Sequence, residues 1–407
     1  MPEEPKKIIF ADCTFVFSSP ACKCKVGTTY TPEGCERYVF HLYPKDEVLN
    51  FAYVAGKGLV NLKYGSVNKG KDVLSELLSI KSGNPKTIKI FIERHGFLLP
   101  IAPKKHSVVE AEPLFELINR LQATVFLMGA IAEAKINYEK ILALTLYLLL
   151  SPQTSIELEN EYDGPYTTCE SEIVHYLQNP HEIPWRVLPL EDEAYAMNEG
   201  CYIEDSIRPP HTWLKEHEYG EAIKYGDATF ETMKDKDKII YLFQNATNVS
   251  PDCRLAIDFL YHFFKDVGEI KTWNHKGDLT FTDSSPAPTR SMRELDGQLQ
   301  QGLIKLAKHA LKEEIEHNFG GIIPSYDFEA MAPSWRINFL LSGLYLSVFY
   351  MRPNTALYRA CQNPNCGYYF LVPTTATKSK YCSDSCSNAM QQRNYRKRKK
   401  EQQPEKK

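Results

Sequence analysis

Residues 361–400 read CQNPNCGYYFLVPTTATKSKYCSDSCSNAMQQRNYRKRKK, and no other stretch indicates as much about this chain. Its cysteines, Cys361, Cys366, Cys382 and Cys386, have the spacing C-x4-C-x15-C-x3-C. Two close pairs separated by a loop of hairpin length can surround one tetrahedral Zn²⁺. The basic run that follows directly is suited to contact phosphates. The stretch therefore predicts one structural zinc ion beside a cationic helix.

The residues around the cysteines predict the local structure of this site. Cys366-Gly367 has the turn chemistry of a zinc knuckle, YYFLVP favours a strand, and TTATKSKY favours a turn and a return strand. Ser383 is placed to N-cap a helix that begins SCSNAMQQ. Cys386 would then lie in the first turn, where the positive end of the helix dipole favours the thiolate. Knuckle, hairpin and helix predict a small treble-clef-like module that zinc holds folded.

The stretch also resembles the bacterial CGNR zinc finger over about residues 357–400. Besides the cysteines, the matching residues are Asn363, Pro364, Gly367, Phe370, Lys378, Lys380, Ser383, Asn388, Arg393, Tyr395, Arg396 and Arg398. Ser387 and Ala389 stand where the family signature has Gly and Arg, and Gln391 stands where a Lys is common. The resemblance implies four cysteine ligands to zinc and a bacterial protein of a group often suspected to regulate transcription.

The basic residues form the predicted nucleic-acid contacts. They are Lys378, Lys380, Arg393, Arg396, Lys397, Arg398, Lys399 and Lys400. On a helix, those at 393, 396, 397 and 400 recur along one flank, and each phosphate that they neutralise makes binding more sensitive to salt. Gln391, Gln392 and Asn394 would reach base edges if the helix entered a major groove. The alternatives are a solvated charged tail, or contact with another polyanion or an acidic protein.

Composition places this cationic segment on an acidic body. The formal charge of the 407 residues is −3, and residues 378–407 carry +7 of it, so −10 remains for the other 377. The asymmetry indicates a polyanionic partner for the C-terminal segment. Eleven cysteines without a recognisable secretion signal predict reduced thiols and a cytoplasmic location. The apolar runs 141–150 and 337–351 are too short to span a bilayer, so no membrane partner is expected.

The sequence predicts an α+β protein with four parts. These are a mixed α/β region (1–105), a mainly helical domain (106–354), the finger with its basic helix (355–400) and a disordered tail (401–407). In the first part, KKIIFADCTFVF, ERYVFHLY and KTIKIFIERHGFLLPI favour strands, and DVLSELLSI favours a short helix. In the second part, helices are predicted over 110–131, 136–150, 170–177, 238–246, 254–267, 292–315 and 335–351.

Two other groups of residues have the chemistry of possible metal sites. Cys13, Cys22, Cys24 and Cys35, with His41 nearby, are spaced C-x8-C-x1-C-x10-C, which suits tetrahedral coordination poorly and favours small buried thiols. His309, Glu313 and His317 recur every four residues, but the charged neighbours favour a solvated helix face over a shared metal. No catalytic motif is recognisable, and we predict that the protein is not an enzyme.

These observations support two functions. In the first, a large N-terminal body senses a small molecule or a protein partner, and the finger anchors the protein to DNA as a transcription regulator. In the second, the body has an interaction or defence role, and the finger docks it to RNA or a ribonucleoprotein. DNA is the favoured partner, and the sequence carries no prediction of oligomeric state.

Overall fold

The computed structural model describes residues 13–63, 72–102, 105–158, 164–179, 182, 235–246, 249–266, 270–281, 297–328, 331–353, 355–376 and 379–401. Helices and strands are mixed, so the predicted α+β class is confirmed. The chain divides into two compact units: unit 1 is Met1–Val125, Thr154–Thr168 and Ile315–Lys407, and unit 2 is Phe126–Gln153 and Cys169–Glu314. The four-part division at 105, 354 and 400 stays a prediction.

The described elements have the following bounds. The strands are β1 Cys13–Tyr30, β2 Glu36–Val54, β3 Gly58–Asn61, β4 Ser107–Glu110, β5 Ser155–Ile156, β6 Tyr166–Thr167, β7 Ile270–Trp273, β8 Leu279–Phe281, β9 Ile322–Asp327, β10 Ala332–Ile337, β11 Ala356–Ala360 and β12 Tyr369–Pro373. The helices are α1 Val73–Leu78, α2 Pro85–His95, α3 Ala111–Ala132, α4 Tyr138–Leu150, α5 Glu172–Gln178, α6 Asp235–Asn245, α7 Pro251–Asp266, α8 Gly297–His317, α9 Leu340–Tyr350 and α10 Asp384–Glu401.

The main sheet of unit 1 is built on a long antiparallel hairpin of β1 and β2. β3 pairs with the second half of β2 and β4 with its first half, so both extend the sheet along the same strand. In β1, Phe15, Phe17, Ser19 and Ala21 are buried and alternate with exposed residues, but beyond an irregularity at 20–22 the buried residues are Cys22 and Cys24. At this irregularity one residue of β1 (Ala21) lies opposite three of β2 (45–47), and the alternation of β1 is reset there, which keeps one face of the strand towards the core.

Helix α2 corrects a sequence prediction, because KTIKIFIERH was expected to be a strand. Asn84 caps the helix by accepting a hydrogen bond from Lys86 N (3.1 Å), and Pro85 occupies the first turn, where its missing N–H costs nothing. The buried residues of the helix are Ile88, Phe91, Ile92 and His95, which recur at helical spacing. The β-branched residues at 88, 90 and 92 imitate strand alternation, but Ile90 is exposed.

The last core helix of the body begins later than the sequence suggested. Trp335 was predicted to open it, but residues up to Ile337 form β10, which pairs with β9. α9 then packs in the core of unit 1, where Leu341 N donates to Leu98 O (2.9 Å). A Cβ at Gly343 would overlap the ring of Phe17, so the absence of a side chain lets the helix approach the sheet.

In unit 2, α6 and α7 are joined by a buried arginine. Arg254 Nη1 donates to the carbonyls of Phe243 (2.9 Å) and Ala246 (3.2 Å), which lie at the end of α6. Its Nη2 lies 2.7 Å from Asp258 Oδ1, and both side chains are almost fully buried. The arginine therefore donates hydrogen bonds to carbonyls at the end of α6 that have no partner within the helix. The carboxylate of Asp258 balances the charge of the guanidinium.

Most of the other predicted helices are present, and the structure describes the surroundings of His309 and His317. The helices at 110–131, 136–150, 170–177, 238–246 and 254–267 are confirmed within a few residues, and α8 holds the described part of the one at 292–315. Met292 and Leu295 lie outside the described residues. The predicted solvated face is wrong for His309, whose side chain is 13% exposed and lies 3.3 Å from both Asp252 and Glu313. His317 is exposed and contacts Thr167 O (2.7 Å).

The expectation of buried thiols is confirmed for two of the N-terminal cysteines, Cys22 and Cys24, and is wrong for Cys35. Cys22 and Cys24 are 1% exposed, Cys35 is exposed, and the side chain of Cys13 lies outside the described part. Burial raises the pKa of Cys22 to about 11 and that of Cys24 to about 12, so both stay protonated thiols.

Among the described helices, one, α3, is long and apolar enough to cross a bilayer by length and composition. However, 67% of its 18-residue window is buried, and the core helix of a folded protein passes the same test.

Candidate metal centre and cationic helix

The four cysteines of the C-terminal motif belong to a small module, residues 356–401, that we call the finger. Its hairpin consists of β11 and β12, paired from Ala356↔Pro373 to Ala360↔Tyr369. YYFLVP is therefore a strand, as predicted, but its partner precedes the knuckle. The predicted return strand is wrong, since the described residues of 374–381 contain none. That segment instead runs beside the knuckle, where Lys380 O accepts from Gln362 N (2.9 Å).

The knuckle between the strands brings the first two cysteines together. Cys361 N donates to Tyr368 O (2.8 Å), which closes the hairpin, and Cys366 N donates to Asn363 O (2.9 Å), which forms a tight turn. Gly367 follows with φ +63°, a conformation that glycine adopts without a steric penalty. The turn chemistry predicted for Cys366-Gly367 is thus present.

The four sulfur atoms converge on one point. All four Sγ atoms lie within 4.8 Å of one another, with 3.5 Å between Cys366 and Cys382 and 3.7 Å between Cys382 and Cys386. A tetrahedral Zn²⁺ with Zn–S bonds of about 2.3 Å separates its ligands by about 3.8 Å. The set is therefore the right size and chemistry for one zinc ion, which all four thiolates would hold. Among the described residues, no other group of three or more ligating side chains converges in this way.

The second pair of ligands is positioned by the start of α10. Cys386 N approaches Ser383 Oγ (3.4 Å), so the serine caps the helix and Cys386 lies in its first turn, as predicted. The Asn363 side chain hydrogen-bonds the Cys386 sulfur, and with Ser383 it lowers the pKa of Cys386 to about 7. Asn363 therefore links the knuckle to the helix ligand, a role that the sequence did not reveal although its Asn-Pro pair belongs to the matched motif.

The remaining thiols are harder to ionise without a cation. Burial, with the neighbouring cysteines, raises the pKa of Cys382 to about 12, and burial also raises the pKa of Cys366. Zinc would replace these protons and offset the repulsion between thiolates, so its binding releases protons and weakens as the pH falls. The finger has little else to hold it together, since its described buried residues are Leu357, Cys361, Phe370, Val372 and Cys382. Folding of the module is thus expected to depend on the ion.

Comparison with known proteins agrees with this geometry. Residues 358–399 match the CGNR zinc finger. The remainder of the chain has no family assignment, and neither the curated proteins nor the solved structures contain a significant match. The CGNR finger with its four clustered cysteines fits one structural zinc ion, which confirms the predicted cofactor. The match includes Ser387 and Ala389, so the departures from the signature do not remove the segment from the family.

Beyond its first turns, the helix of the CGNR finger is fully exposed. Every described side chain from Gln391 to Lys399 is exposed, including Arg393, Arg396, Lys397, Arg398 and Lys399. Tyr395, the apolar residue among them, is 67% exposed. Lys380 is exposed beside the knuckle, Lys378 lies outside the described residues, and Lys400 is helical but its side chain is not described. The described members of the predicted contact set are therefore exposed within one module, and their contact with nucleic acid stays a prediction.

The finger also contacts the body of unit 1, which the sequence did not predict. Tyr358 of β11 donates a hydrogen bond to Asp72 Oδ2 (2.6 Å), and Tyr369 N of β12 donates to Ser79 Oγ (3.0 Å). Asp72 and Ser79 are the two caps of α1, and Asp72 also accepts from Ser75 N (2.6 Å). No local pattern could have revealed contacts that join residues 286 and 290 positions apart.

Proposed function

We propose that this protein binds duplex DNA through the CGNR finger and acts as a transcription regulator. The observation that carries the proposal is the run of nine exposed residues, Gln391–Lys399, five of which are Lys or Arg. A helix without an apolar face gains nothing from the protein's own core. Its cations are exposed to solvent, where an anionic partner can reach them, and phosphate contacts supply much of the affinity of DNA-binding proteins.

The dimensions of the helix support duplex DNA. The 11 residues from Gln391 to Glu401 extend about 16 Å, and the helix is narrow enough for the major groove, which is about 12 Å wide. Gln391, Gln392 and Asn394 are exposed on this segment and carry amides of the kind that read base edges. The zinc site would fix the first turn, so the exposed turns project from a rigid base.

The proposal assigns the rest of the chain to sensing, in a cytoplasmic protein without catalytic activity. Free cysteines such as Cys22, Cys24 and Cys253 support a reducing compartment, because they are buried thiols rather than disulfides. A small molecule or a protein partner would bind the body and change how the finger engages DNA.

Selection from random pools of duplex DNA and single-stranded RNA, with the full-length zinc-loaded protein, tests the proposal. The matched control replaces Arg393, Arg396 and Arg398 with Ala, because these exposed residues lie outside the zinc ligands and the hairpin. We expect enrichment of duplex DNA that the triple variant loses, with a flatter salt dependence. Preference for single-stranded RNA would replace this proposal with the docking role, and enrichment unchanged in the variant would place the binding surface elsewhere.

A further inference from the structure

A loop of the body lies directly beside the zinc knuckle. α1 ends at Leu78, and the chain continues through Lys81 to the N-cap of α2 at Asn84. The Lys81 side chain passes over Gly367, where its Cε lies 3.9 Å from the position that a Cβ would occupy. A methyl group at position 367 would therefore touch a lysine that is 286 positions earlier in the chain, which places the Lys81 side chain next to the knuckle.

Two hydrogen bonds from the finger to α1 hold this arrangement. The Tyr358 hydroxyl donates to the buried N-cap Asp72, and Tyr369 N donates to Ser79, only two residues before Lys81. Ser79 is itself fixed, because its hydroxyl donates to Ser75 O (2.6 Å). The loop and the knuckle are consequently attached to the same short helix, so the position of Lys81 relative to the finger does not depend on a flexible linker.

The charges around the knuckle favour an anion. Lys81 is exposed and has no ion-pair partner among the described residues. Lys380 is exposed on the segment that runs beside the knuckle at Gln362. The nearest carboxylate of α1, Glu76, is occupied by Arg94 (3.0 Å) and His95 (2.9 Å). Two lysines from distant parts of the chain thus border the knuckle, and within the described residues neither has an ion pair.

We propose that Lys81 belongs to the nucleic-acid surface and contacts a backbone phosphate together with Lys380 and the cations of α10. This inference rests on the proposed function and extends it from the finger to the body. The surface is then composite, with one wall from the loop after α1 and the other from the finger. Because a phosphate contact carries no base information, Lys81 would add affinity and orient the duplex rather than select a sequence.

The test compares Lys81→Ala with Lys23→Ala in full-length zinc-loaded protein, with a duplex of fixed length titrated over a range of salt concentrations. Lys23 is likewise an exposed lysine, on β1 opposite Tyr43 of β2, and within the described residues no hydrogen bond or ion pair joins it to the finger. Loss of one phosphate contact should lower the slope of log K against log[salt] by about 0.9 and weaken binding about fivefold at physiological salt. Lys23→Ala should change neither, and Lys81→Arg should restore both.

Zinc content and melting temperature should match the wild type in all three variants, because the Lys81 side chain makes no stabilising ion pair. If Lys81→Ala binds like Lys23→Ala while neutralisation of Arg393, Arg396 and Arg398 abolishes binding, the composite surface is wrong and the finger acts alone. If the wild type binds no nucleic acid, the proposed function itself fails.

Discussion

The finger and the main sheet of unit 1 are stabilised in different ways. The sheet buries alternating side chains along β1 and β2, with Phe40, Leu42 and Phe51 at 0% exposure. Among its described residues, the finger buries three apolar side chains, Leu357, Phe370 and Val372, together with two of its thiols. Apolar burial alone can stabilise the sheet, whereas the finger requires an ion and the contacts with α1. Packing of apolar side chains therefore sets the stability of the sheet, whereas metal coordination sets the stability of the finger.

Replacing a zinc ligand should give the largest effect, confined at first to the finger. Cys382→Ser removes a buried ligand and leaves three thiols, and a structural zinc ion contributes about 10–16 kcal/mol to the folding of small zinc modules. We expect loss of zinc, rapid amide exchange in residues 356–386 and loss of nucleic-acid binding, while the amides of β2 stay protected.

Metal analysis and hydrogen exchange measure this outcome. Cys35→Ser is the matched control, because Cys35 is an exposed thiol far from the ligands in sequence. Retention of a full zinc equivalent in Cys382→Ser would contradict the four-ligand site. Equal loss of protection in β2 would show that the two regions fold as one.

Asp72, which is buried where the finger meets α1, should make the free energy of unfolding depend on pH. Burial raises the pKa of Asp72 to about 6, although Tyr358 and Ser75 donate hydrogen bonds to it. The folded state then holds a proton that the unfolded state releases near pH 3.8, so the stability contributed by this group falls as pH rises from about 4 to about 6. A shift of two units corresponds to roughly 3 kcal/mol.

Asp72→Asn isolates this charge, because asparagine is an equally good N-cap and keeps an acceptor for Tyr358. As the pH rises across this range, the wild type should lose stability and the variant should not. The variant should therefore become the more stable of the two, and the difference should stay constant at higher pH. Urea unfolding at several pH values measures it. A constant difference would mean that Asp72 titrates alike in both states.

The features of the finger that distinguish it from the sheet can largely be predicted from the sequence, because they depend on local patterns. The spacing of Cys361, Cys366, Cys382 and Cys386 and the cap at Ser383 are short-range signals, and the predicted cluster and helix start are present. α2 was misassigned since Ile88, Ile90 and Ile92 imitate strand alternation, and the decisive signal was the cap and proline at Asn84-Pro85. The contacts of Tyr358 and Lys81 depend on tertiary packing, so no pattern along the chain encodes them.

A change in the core of the body should lower the stability of the body and leave zinc binding by the finger unchanged. In Gly343→Ala the new methyl group overlaps the ring of Phe17, and overpacking of this kind typically costs about 1–3 kcal/mol. The melting temperature of the body should fall, while zinc content at ambient temperature is unchanged. Gly129→Ala is the control, since nothing lies within 4 Å of the added atom and alanine is the better helix former. Equal melting temperatures for the two variants would show that α9 and the sheet can separate at little cost.

The smallest expected effect tests whether the two regions are coupled. Tyr358→Phe keeps the ring in the hairpin and removes only the donor to Asp72, which costs about 1–2 kcal/mol for a hydrogen bond to a buried group. Because the contact joins the regions, the loss should appear both in the unfolding of the body and in a weaker apparent affinity for zinc. Competition with a chelator measures the second quantity. Tyr395→Phe, a change of the same kind on the exposed helix, should alter neither. Should Tyr358→Phe lower the stability of the body and leave zinc affinity untouched, the finger and the sheet are neighbours in one unit that fold independently.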